Sequence, residues 1–310
     1  EWQNRYKRLN PNTELAFKSW RQVMSMKISV ALAQATQRQF TDNLTGYAEE
    51  IEKILSRSPG TQMVVHPELH LFGSDMSTDA LQKIAQSLNS KFVGELGEIA
   101  KRFGIWLIPG SIVEPAPNNG IYNTALVFNP AGELVSHYRK IFPWRPSEPF
   151  TMGSEFSVFE LPGLGRVGLN ICYDIWFPEV TRQLTWMGAE LIVNLVRTTT
   201  ADRKQELVLV QASAITNQVY ILSVNAAAPI AMGKSLVVDP DGDVVEQILD
   251  DSNSIIYTII DFDRVAQIRR DGTAGVNRMW DQFLPNDPEI NLPIYSGRIN
   301  PRTWRPRMNK

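Results

Sequence analysis

The sequence has few of the residues that build disulfides and metal centres. Its 310 residues include one cysteine, Cys172, and three histidines. A single cysteine cannot form a disulfide within the chain, and by itself it cannot supply a zinc site. Nothing in this composition requires an oxidising compartment, so we expect a cytoplasmic protein.

Long apolar runs and an excess of one charge are also missing. No stretch approaches the ~20 consecutive apolar residues that span a bilayer, and residues 1–26 lack the apolar centre of a signal peptide. The 31 basic and 33 acidic side chains leave a formal net charge of −2, which gives no electrostatic basis for binding nucleic acid. We therefore expect neither a membrane nor a nucleic acid as a partner. With 43% apolar residues, the chain can bury a substantial core.

Basic charge is concentrated at the two ends of the chain. Residues 1–26 hold five basic and two acidic side chains, and the segment from Gly297 to Lys310 holds five basic and no acidic side chains. Pro301 and Pro306 favour an extended arm over a helix in the second segment. Basic ends on an acidic body can pack on a neighbouring subunit or lie in solvent, and the residues alone leave both alternatives open.

Strand and helix patterns alternate along the body of the chain. Lys27–Ala35 and Leu191–Val196 have the apolar patterns of strands, whereas Asn43–Ser56 and Ala80–Phe103 place apolar residues at helical spacing. No stretch has the composition of a linker. The alternation predicts a single α/β domain in which strands lie inside and helices lie outside.

Two segments share the pattern of a β-hairpin. They are FNPAGELV (Phe128–Val135) and VDPDGDVV (Val238–Val245). In each, an apolar strand end is followed by Asn or Asp, Pro and then Gly, before a new apolar run. Proline sets φ at the turn and glycine accepts the positive φ that follows, so both segments predict antiparallel pairing. They suggest two sheets, each with a hairpin.

Two short patterns match ligand-binding motifs by letter, but their context argues against both. The glycines of GLGRVG (163–168) precede a predicted strand, whereas the dinucleotide fingerprint follows a strand and opens a helix. A turn between two strands is the better interpretation. His66 and His70 flank Glu68 at the i, i+4 spacing of metal ligands, but Pro67 opposes a helix through that span. We predict no metal site here.

The surroundings of Cys172 are typical of a nucleophile. In GLNICYDIWFPE (Gly168–Glu179), an apolar strand ends at Cys172, and Pro178 marks the start of a helix. A thiol at such a turn projects from the strand end, next to backbone N–H groups that can hold an oxyanion. The thiolate is the reactive form and needs a nearby base or positive charge. The alternative is that a lone cysteine is a small core residue.

Glu68 and Lys140 also lie at predicted strand ends, among apolar and aromatic residues. Glu68 follows QMVVHP, and Lys140 follows LVSHYR. Charged side chains rarely lie among apolar residues unless they are paired. A carboxylate, an ammonium group and a thiol at three strand ends form a consistent set, in which Glu68 takes the thiol proton and Lys140 stabilises the thiolate and then an oxyanion. No histidine has a comparable context.

Three blocks, in this order, resemble the catalytic blocks of the nitrilase superfamily of carbon–nitrogen hydrolases. They are VVHPELHLFG (64–73), HYRKIFPW (137–144) and GLNICYDIWFPE (168–179). The resemblance implies an α/β fold of the nitrilase-like type, an αββα sandwich paired into a four-layer αββα–αββα dimer. It also implies a homodimer or a higher homo-oligomer.

The extent of the resemblance sets the expected domain limits. It covers the chain from Lys27 to about Asp263. We therefore expect an N-terminal extension at 1–26, the hydrolase domain at 27–263 and a C-terminal extension at 264–310. The last of these is expected to pack on a neighbouring subunit.

The resemblance assigns a role to each catalytic residue. It implies that Cys172 is the nucleophile, that Glu68 is the general base and that Lys140 stabilises the transition state. The backbone N–H of Tyr173 is the second oxyanion donor. The implied reaction forms a cysteine thioester, releases ammonia and then uses water to release a carboxylic acid, without a metal or an organic cofactor.

A second glutamate narrows the comparison within the family. KIFPWRPSEPF (140–150) is similar to the aliphatic amidase and formamidase branch, in which a glutamate at the position of Glu148 helps to position the amide. Trp144, Phe150 and Trp176 suggest a small pocket with apolar walls, although aromatic residues also dominate ordinary cores. Together these residues favour a short uncharged amide as the substrate.

Other substrates stay open at this point. Arg197 is able to bind a carboxylate, which allows an N-carbamoyl (ureido) compound or a dicarboxylic monoamide, the substrate of an omega-amidase. N-carbamoyl-D-amino acid hydrolases carry an arginine pair after the cysteine, where this chain has Ile175 and Trp176. True nitrilases place Trp–Glu where this chain has Tyr173–Asp174. A nitrilase, an acyltransferase and a catalytically silent interaction protein are the remaining alternatives.

Overall fold

The alternation of strands and helices expected from the sequence is present in the computed structural model, which describes residues 26–41, 43–73, 76–292 and 294–299. The strands are β1 (Lys27–Gln34), β2 (Met63–Val65), β3 (Trp106–Ile108), β4 (Ser111–Ala116), β5 (Gly120–Phe128), β6 (Leu134–Arg139), β7 (Ser157–Leu161), β8 (Gly165–Ile171), β9 (Leu191–Val196), β10 (Tyr220–Asn225), β11 (Leu236–Val238), β12 (Val244–Gln247) and β13 (Ser254–Asp261). The α-helices are α1 (Thr45–Arg57), α2 (Thr78–Ile84), α3 (Lys91–Phe103), α4 (Pro178–Trp186), α5 (Arg203–Asn217) and α6 (Phe262–Asp271). Short 3-10 helices lie at Cys172–Trp176, Met279–Asp281 and Ile294–Gly297.

The first sheet contains both the first and the last strand. Its strands follow the order β13-β1-β2-β3-β5-β4, with β6 paired to β5. β1, β2 and β3 are parallel to one another. β13 is antiparallel to β1, from the pair Lys27–Asp261 to the pair Gln34–Ser254. The chain therefore returns to its starting sheet after building the second one.

The second sheet is built from the middle of the chain. Its strands follow the order β12-β11-β10-β9-β8-β7. β8, β9 and β10 are parallel, and they are flanked by antiparallel β7 and β11. The carboxyl ends of β8 and β9 therefore lie at the same edge of the sheet.

Apolar side chains fill three layers between these elements. A central cluster joins Val65 of the first sheet to Leu169 of the second. A second cluster joins the first sheet to α1 and α3 through Ile51 and Leu96, and a third joins the second sheet to α4 and α5 through residues such as Leu184. The layers therefore follow the order helix, sheet, sheet, helix. This is the αββα sandwich that the resemblance implied.

Both predicted hairpins are present, and each belongs to a different sheet. FNPAGELV joins β5 to antiparallel β6, with Gly132 at φ 86°. VDPDGDVV joins β11 to antiparallel β12, with Gly242 at φ 89°. A positive φ at these turns favours glycine. GLGRVG begins in the turn between antiparallel β7 and β8, with Gly163 at φ 77°, and continues into β8 from Gly165. Its glycines therefore lie at a turn between strands and at the start of a strand, and they do not open a helix.

The prediction of one helix over Ala80–Phe103 is wrong, because the chain leaves the helix between α2 and α3. Ala85 is extended, with ψ 136°, and the Gln86 N–H donates to the Val113 carbonyl oxygen of β4 at 2.8 Å. Ser90 then caps α3 by accepting a hydrogen bond from the Val93 N–H at 3.3 Å. Pairing with the sheet overrides a helical pattern that continues through the break. Strand β7 was not singled out from the sequence.

The predicted N-terminal extension lies almost entirely outside the described residues, whereas most of the predicted C-terminal extension is described. Of the segment 1–26, only Met26 is described, and residues 300–310 of the tail are not. Helix α6 crosses the predicted domain limit at Asp263 and buries Val265 and Ile268 in the core. In the described parts of the chain, no helix combines the length and the apolar character needed to cross a bilayer.

Candidate active site

Cys172 lies at the end of β8, where its sequence context placed it. The strand is buried from Val167 to Ile171, and the chain then turns into a 3-10 helix before α4 begins at Pro178. Cys172 has φ 48°, in the left-handed region that residues other than glycine rarely adopt. Strained residues of this kind cluster at functional sites, where the surrounding structure holds them in place.

The turn at Cys172 is fixed by the buried carboxylate of Asp174. This carboxylate accepts hydrogen bonds from Ile171 N at 2.9 Å, Phe142 N at 2.9 Å and Tyr138 Oη at 2.7 Å. Tyr138 and Phe142 lie on either side of Lys140 in the sequence. One carboxylate therefore ties the cysteine turn to the lysine segment. The sequence pattern around Asp174 did not predict this role.

Glu68 follows β2 in a tight turn that packs against two other segments. Gln37 Nε2 donates to the carbonyl oxygens of Glu68 and Leu69, at 3.3 and 3.1 Å. Gly110 approaches so closely that a Cβ added to it would lie 2.0 Å from the Pro67 carbonyl oxygen. Only glycine fits at that point, and the backbone around Glu68 is held from both sides.

The two oxygens of the Glu68 carboxylate have different surroundings. Oε1 accepts hydrogen bonds from Lys140 Nζ at 3.0 Å and from Asn123 Nδ2 at 2.7 Å. Oε2 is buried without a hydrogen-bond partner among the described residues, so it is available to take a proton. Burial raises the pKa of Glu68, and the charge of Lys140 opposes that rise. A raised pKa moves this carboxylate towards the range of a general base.

Asn123 holds both Glu68 and Lys140 and was missed by sequence analysis. It lies within β5 and is fully buried. Its carbonyl oxygen accepts from the Lys140 N–H at 2.9 Å, while its side chain donates to Glu68. An asparagine inside the apolar strand IYNTALVF was the signal, because a buried amide needs hydrogen-bond partners.

Lys140 is fully buried and lies between two carboxylates. Its Nζ contacts Glu148 Oε1 at 2.9 Å and Glu148 Oε2 at 2.8 Å, in addition to Glu68. Burial alone would lower the pKa of Lys140, but the negative charges of Glu68 and Glu148 hold that pKa well above its ordinary value. Lys140 is therefore a permanent cation that can stabilise negative charge developing nearby.

Glu148 reaches Lys140 from a loop that closes on itself. The Glu148 N–H donates to the Trp144 carbonyl oxygen at 2.8 Å, and the Trp144 N–H donates to Glu148 Oε2 at 2.8 Å. The loop thus fixes the carboxylate that faces the lysine. The structure brings Glu148 to Lys140 and Glu68, although these residues are separated by up to 80 positions in the sequence.

The Cys172 thiol is protonated near neutral pH. Burial raises the pKa of Cys172 well above its ordinary value, the negative charge of Glu68 adds to the shift, and Lys140 opposes it. The thiol therefore needs a base at the moment of attack. Its Sγ lies 3.7 Å from Thr198 Oγ1, a neighbour that sequence analysis did not select.

Aromatic side chains follow the cysteine directly. The ring of Tyr173 lies 6.0 Å from that of Trp176 and 5.4 Å from that of Phe177, measured between centroids. Phe177 in turn stacks on Phe142 at 3.7 Å. These contacts place an apolar surface beside the nucleophile. The oxyanion role of the Tyr173 N–H stays a prediction.

The other predicted substrate residues lie in three different environments. Trp144 is 38% exposed, and Phe150, at 2%, is part of the cluster between the first sheet and its helices. Arg197 follows β9, and its Nε donates to Gln37 Oε1 at 2.8 Å. Because Gln37 also holds the Glu68 turn, Arg197 lies close enough for its charge to lower the pKa of Glu68. The structure thus brings Arg197 to the site and places Phe150 in the core.

One group of side chains in the described part of the chain has the spacing of metal ligands, and it consists of Glu50, His66 and His70. The two histidines flank Glu68 in the sequence, but in the structure they contact Glu50 of α1. The Nε2 atoms of His66 and His70 lie 3.2 and 3.3 Å from Glu50 Oε1. Such distances fit either hydrogen bonds or ligands around one metal ion.

The ring geometry of this group favours hydrogen bonds. The rings of His66 and His70 are stacked, with centroids 4.6 Å apart and planes at 25°. Near-parallel rings do not direct their in-plane lone pairs to a common point about 2 Å from both nitrogens, as a metal ion requires. If each ring carries its proton on Nε2 and donates it to Glu50, the Nδ1 atom of His66 is an acceptor. Tyr47 Oη then donates to His66 Nδ1 at 3.1 Å. Burial, followed by the charge of His66, lowers the pKa of His70 to about 4, so this ring is neutral at pH 7.

The set of groups around Cys172 suits nucleophilic acyl transfer. A protonated thiol, a buried base with one free oxygen and a fixed cation are the three parts that such chemistry needs. Glu68 and Lys140 come from the first sheet and Cys172 from the second; the sequence predicted the three strand ends but not the division between the sheets. The hydrogen-bond partners of Asn123 and Asp174 are recognisable only once the strands are paired.

Comparison with known proteins agrees with this geometry. The sequence profile described as carbon-nitrogen hydrolase matches residues 29–270. The omega-amidase NIT3 of Saccharomyces cerevisiae is 30% identical over 285 residues, which cover 84% of this chain and 96% of that protein. The human omega-amidase NIT2 is 32% identical over 247 residues, covering 74% of this chain and 87% of that protein. The crystal structure of S. cerevisiae Nit3, a member of branch 10 of the nitrilase superfamily, matches with a TM-score of 0.71 and 30% identity, over 79% of this chain and 93% of that chain.

Proposed function

The chain belongs to the carbon–nitrogen hydrolase family of the nitrilase superfamily, and from that premise we propose that it hydrolyses an amide through a thioester on Cys172. Relatives named omega-amidases support amide hydrolysis. The observation that carries the assignment of roles is the buried Lys140, in contact with both Glu68 and Glu148. This contact supports the roles proposed for Lys140 and Glu68, because a fixed positive charge lies beside a carboxylate whose Oε2 has no hydrogen-bond partner among the described residues.

The first half of the proposed reaction forms the acyl-enzyme. Glu68 Oε2 takes the thiol proton as the Cys172 sulfur attacks the amide carbon. Lys140 and the Tyr173 N–H stabilise the oxyanion that forms. Glu68 then gives its proton to the nitrogen, the carbon–nitrogen bond breaks and ammonia leaves.

The second half releases the acid with water as the acyl acceptor. Glu68 Oε2, free again, takes a proton from water as the water oxygen attacks the thioester carbon. The carbon–sulfur bond breaks, and the proton on Glu68 returns to the Cys172 sulfur. A carboxylic acid is released, and both residues are back in their starting states.

Lys140 has enough donors for its proposed role. Its ammonium group carries three N–H bonds, and it faces three carboxylate oxygens, two of which belong to Glu148. One N–H shared between the two oxygens of Glu148 and one directed at Glu68 leave a third N–H for the oxyanion. Glu148 therefore both keeps Lys140 charged and sets the direction of the free donor.

Two substrate classes are supported by different residues. A short uncharged amide suits the aromatic surface formed by Tyr173, Trp176 and Phe177. A dicarboxylic monoamide suits Arg197, whose guanidinium lies near the Glu68 turn through Gln37, and the names of the relatives favour this class. A guanidinium recognises a carboxylate with two parallel hydrogen bonds.

Ammonia release from a panel of substrates tests the proposal. The panel holds short aliphatic amides, monoamides of dicarboxylic acids, ureido acids and nitriles, and the variant is Cys172→Ala. We expect turnover of amides that the variant abolishes. Turnover of nitriles alone, or turnover that survives in the variant, would contradict the proposal. Adding hydroxylamine as an acceptor separates hydrolysis from acyl transfer, because a transferase gives mainly the hydroxamate.

The variant Arg197→Gln separates the two amide classes. If Arg197 binds a substrate carboxylate, kcat/KM for the dicarboxylic monoamides falls by about tenfold or more relative to kcat/KM for short amides. The effect of the Arg197 charge on Glu68 is common to both substrate classes and cancels in this ratio. Arg102→Gln is the matched control, because Arg102 is exposed on α3. An equal effect on both substrate classes would argue against a carboxylate site at Arg197.

The proposal also includes how the chain assembles and where it acts. Trp186 on α4 and Val208 on α5 are 74% and 62% exposed, and this apolar surface supports a homodimer or higher homo-oligomer through these helices. We place the hydrolase domain at 27–263, flanked by extensions at 1–26 and 264–310. Action in the cytoplasm fits a lone reduced cysteine.

A further inference from the structure

A buried network of three side chains lies on the Thr198 side of Cys172. Thr198 Oγ1 donates to Glu206 Oε2 at 2.6 Å, and Arg203 Nη1 donates to the same oxygen at 2.8 Å. Arg203 and Glu206 are 2% and 1% exposed. None of the roles proposed above involves these residues.

The network is anchored to the surrounding backbone. The Thr198 N–H donates to Asn225 Oδ1 at 2.9 Å. Arg203 also donates through Nε to the Gly233 carbonyl oxygen at 3.1 Å and through Nη2 to the Lys234 carbonyl oxygen at 2.8 Å. With its backbone and its hydroxyl both bonded, Thr198 is fixed in position.

These contacts determine which way the Thr198 hydroxyl points. A carboxylate oxygen paired with a guanidinium accepts hydrogen bonds, and Glu206 Oε2 already accepts from Arg203 Nη1 at 2.8 Å. The single hydroxyl proton of Thr198 is therefore committed to Glu206. Towards Cys172 Sγ, 3.7 Å away, Thr198 presents only lone pairs. The contact between them is a hydrogen bond from the thiol to Thr198 Oγ1.

From this arrangement we propose that Thr198 is a further catalytic residue, which accepts the Cys172 S–H and holds the thiol proton until Glu68 removes it. Glu206 and Arg203 are positioning residues that act through Thr198. The inference rests on the proposed role of Cys172 as nucleophile. In line with it, the negative charge of Glu206 contributes to the raised pKa of Cys172, after burial and Glu68.

Alkylation of Cys172 by iodoacetamide tests this inference without any substrate. The chain has one cysteine, so each label added reports on that thiol. The rate is measured from pH 6 to about pH 11.5 for the wild type and for Thr198→Val, because the pKa of Cys172 lies well above its ordinary value. The valine keeps the shape of the side chain and removes the acceptor. Loss of a neutral hydrogen bond to the thiol form should lower the midpoint of the alkylation profile by about half to one pH unit.

The rate at pH 7 should rise less than the thiolate fraction does. A shift of this size increases the thiolate about threefold to tenfold, but the nucleophilicity of a thiolate falls with its pKa. The net expectation is an increase of about twofold to fourfold at pH 7. Thr198→Ser, which restores the hydroxyl, should return the profile to that of the wild type.

Two further variants keep the test decisive. Thr181→Val is the matched control, because the Thr181 hydroxyl is buried on α4 without a hydrogen-bond partner among the described residues, and its profile should match the wild type. Glu206→Gln removes the charge and frees the Thr198 proton to turn towards sulfur. Glu206→Gln should lower the midpoint of the alkylation profile at least as far as Thr198→Val does. If Thr198→Val does not fold, Glu206→Gln alone tests the inference.

The inference is overturned if Thr198→Val and Glu206→Gln both keep the wild-type midpoint, or if Thr181→Val shifts it equally. A lowered midpoint in both network variants, with rescue by Thr198→Ser, supports it. Because no amide is present, this result does not depend on the substrate. Failure of amide hydrolysis in the panel assay would instead overturn the proposed function, and the two failures are distinguishable.

Discussion

Lys140 Nζ lies 3.0 Å from Glu68 Oε1, and neither side chain is more than 1% exposed. Burying two charges is costly, and removing one partner of such a pair costs about 3–5 kcal/mol because the other is left uncompensated. The Lys140–Glu68 pair is therefore weak evidence that the fold gains stability, but it strongly constrains where the two side chains lie. It fixes a positive charge and a carboxylate side by side, next to a thiol that is still protonated.

Glu148→Gln should weaken catalysis through Lys140. The substitution removes one of the two negative charges that hold the pKa of Lys140 high. It also replaces one of the two carboxylate oxygens that accept from Lys140 Nζ with an NH₂ group, which cannot accept a hydrogen bond. We expect kcat/KM for ammonia release to fall about 100-fold, the loss typical of a misplaced oxyanion donor. Glu155→Gln, in an exposed position nearby, is the control. Activity of Glu148→Gln within twofold of the wild type would contradict the role given to this carboxylate.

Asn123→Leu should move the acid limb of the pH profile to higher pH. The Asn123 side chain donates to the charged form of Glu68 at 2.7 Å. Losing this hydrogen bond therefore raises the pKa of Glu68 further, above the value that burial already raises. Glu68 must be ionised to act as a base, and a bond to a charged group is worth about 1.5 kcal/mol or more, which is about one pH unit. The profile of kcat/KM against pH measures the shift, with exposed Asn89→Leu as control. An acid limb that stays in place or moves to lower pH would exclude this contact as a determinant.

His70 should make the fold less stable as the pH falls below 6.5. Its pKa is about 4 in the folded chain against an ordinary 6.5, so the unfolded chain binds the proton first and stability is lost as the pH falls from about 6.5 to about 4. The full effect is about 3 kcal/mol. Urea unfolding at pH 7, 5.5 and 4.5 should show a smaller pH dependence in His70→Gln than in the wild type. His137→Gln, on an exposed strand position, should behave as the wild type; an unchanged slope in His70→Gln would refute the assignment.

Asp174→Asn should destabilise the fold and loosen the cysteine turn. The carboxylate accepts three hydrogen bonds, whereas an amide can accept on its oxygen alone and places an NH₂ group against one of the donors. We expect a loss of about 2–4 kcal/mol in the free energy of unfolding, measured with urea. Asp251→Asn, at an exposed position, is the control. Equal stability of the two variants would mean that the turn does not depend on Asp174.

The catalytic candidates could be predicted because they lie at strand ends. Strand patterns before Glu68, Lys140 and Cys172 predicted the ends of β2, β6 and β8, and charged residues among apolar ones indicated that they are paired. These are local features, readable along the chain. The alternation of elements likewise predicted the α/β class, and both Pro–Gly hairpins were confirmed.

The supporting residues could not be predicted because their partners are distant in sequence. Asn123 and Thr198 acquire their contacts only when β5 meets the Glu68 turn and β9 lies beside β8. The pairing of His66 and His70 with Glu50 depends in the same way on where α1 packs. The break between α2 and α3 has the same origin, since Gln86 pairs with β4 although the helical pattern continues.

The return of β13 to the first sheet has a consequence for a chain that has been cut. Proteolysis between Phe150 and Ser157 would place Glu68, Lys140 and Glu148 on one fragment and Cys172 on the other. The second fragment also carries β13, whose eight residues pair with β1 of the first, from Lys27–Asp261 to Gln34–Ser254. The pairing of β1 with β13 therefore joins the two fragments, and a nicked molecule keeps Glu68, Lys140 and Glu148 in one assembly with Cys172.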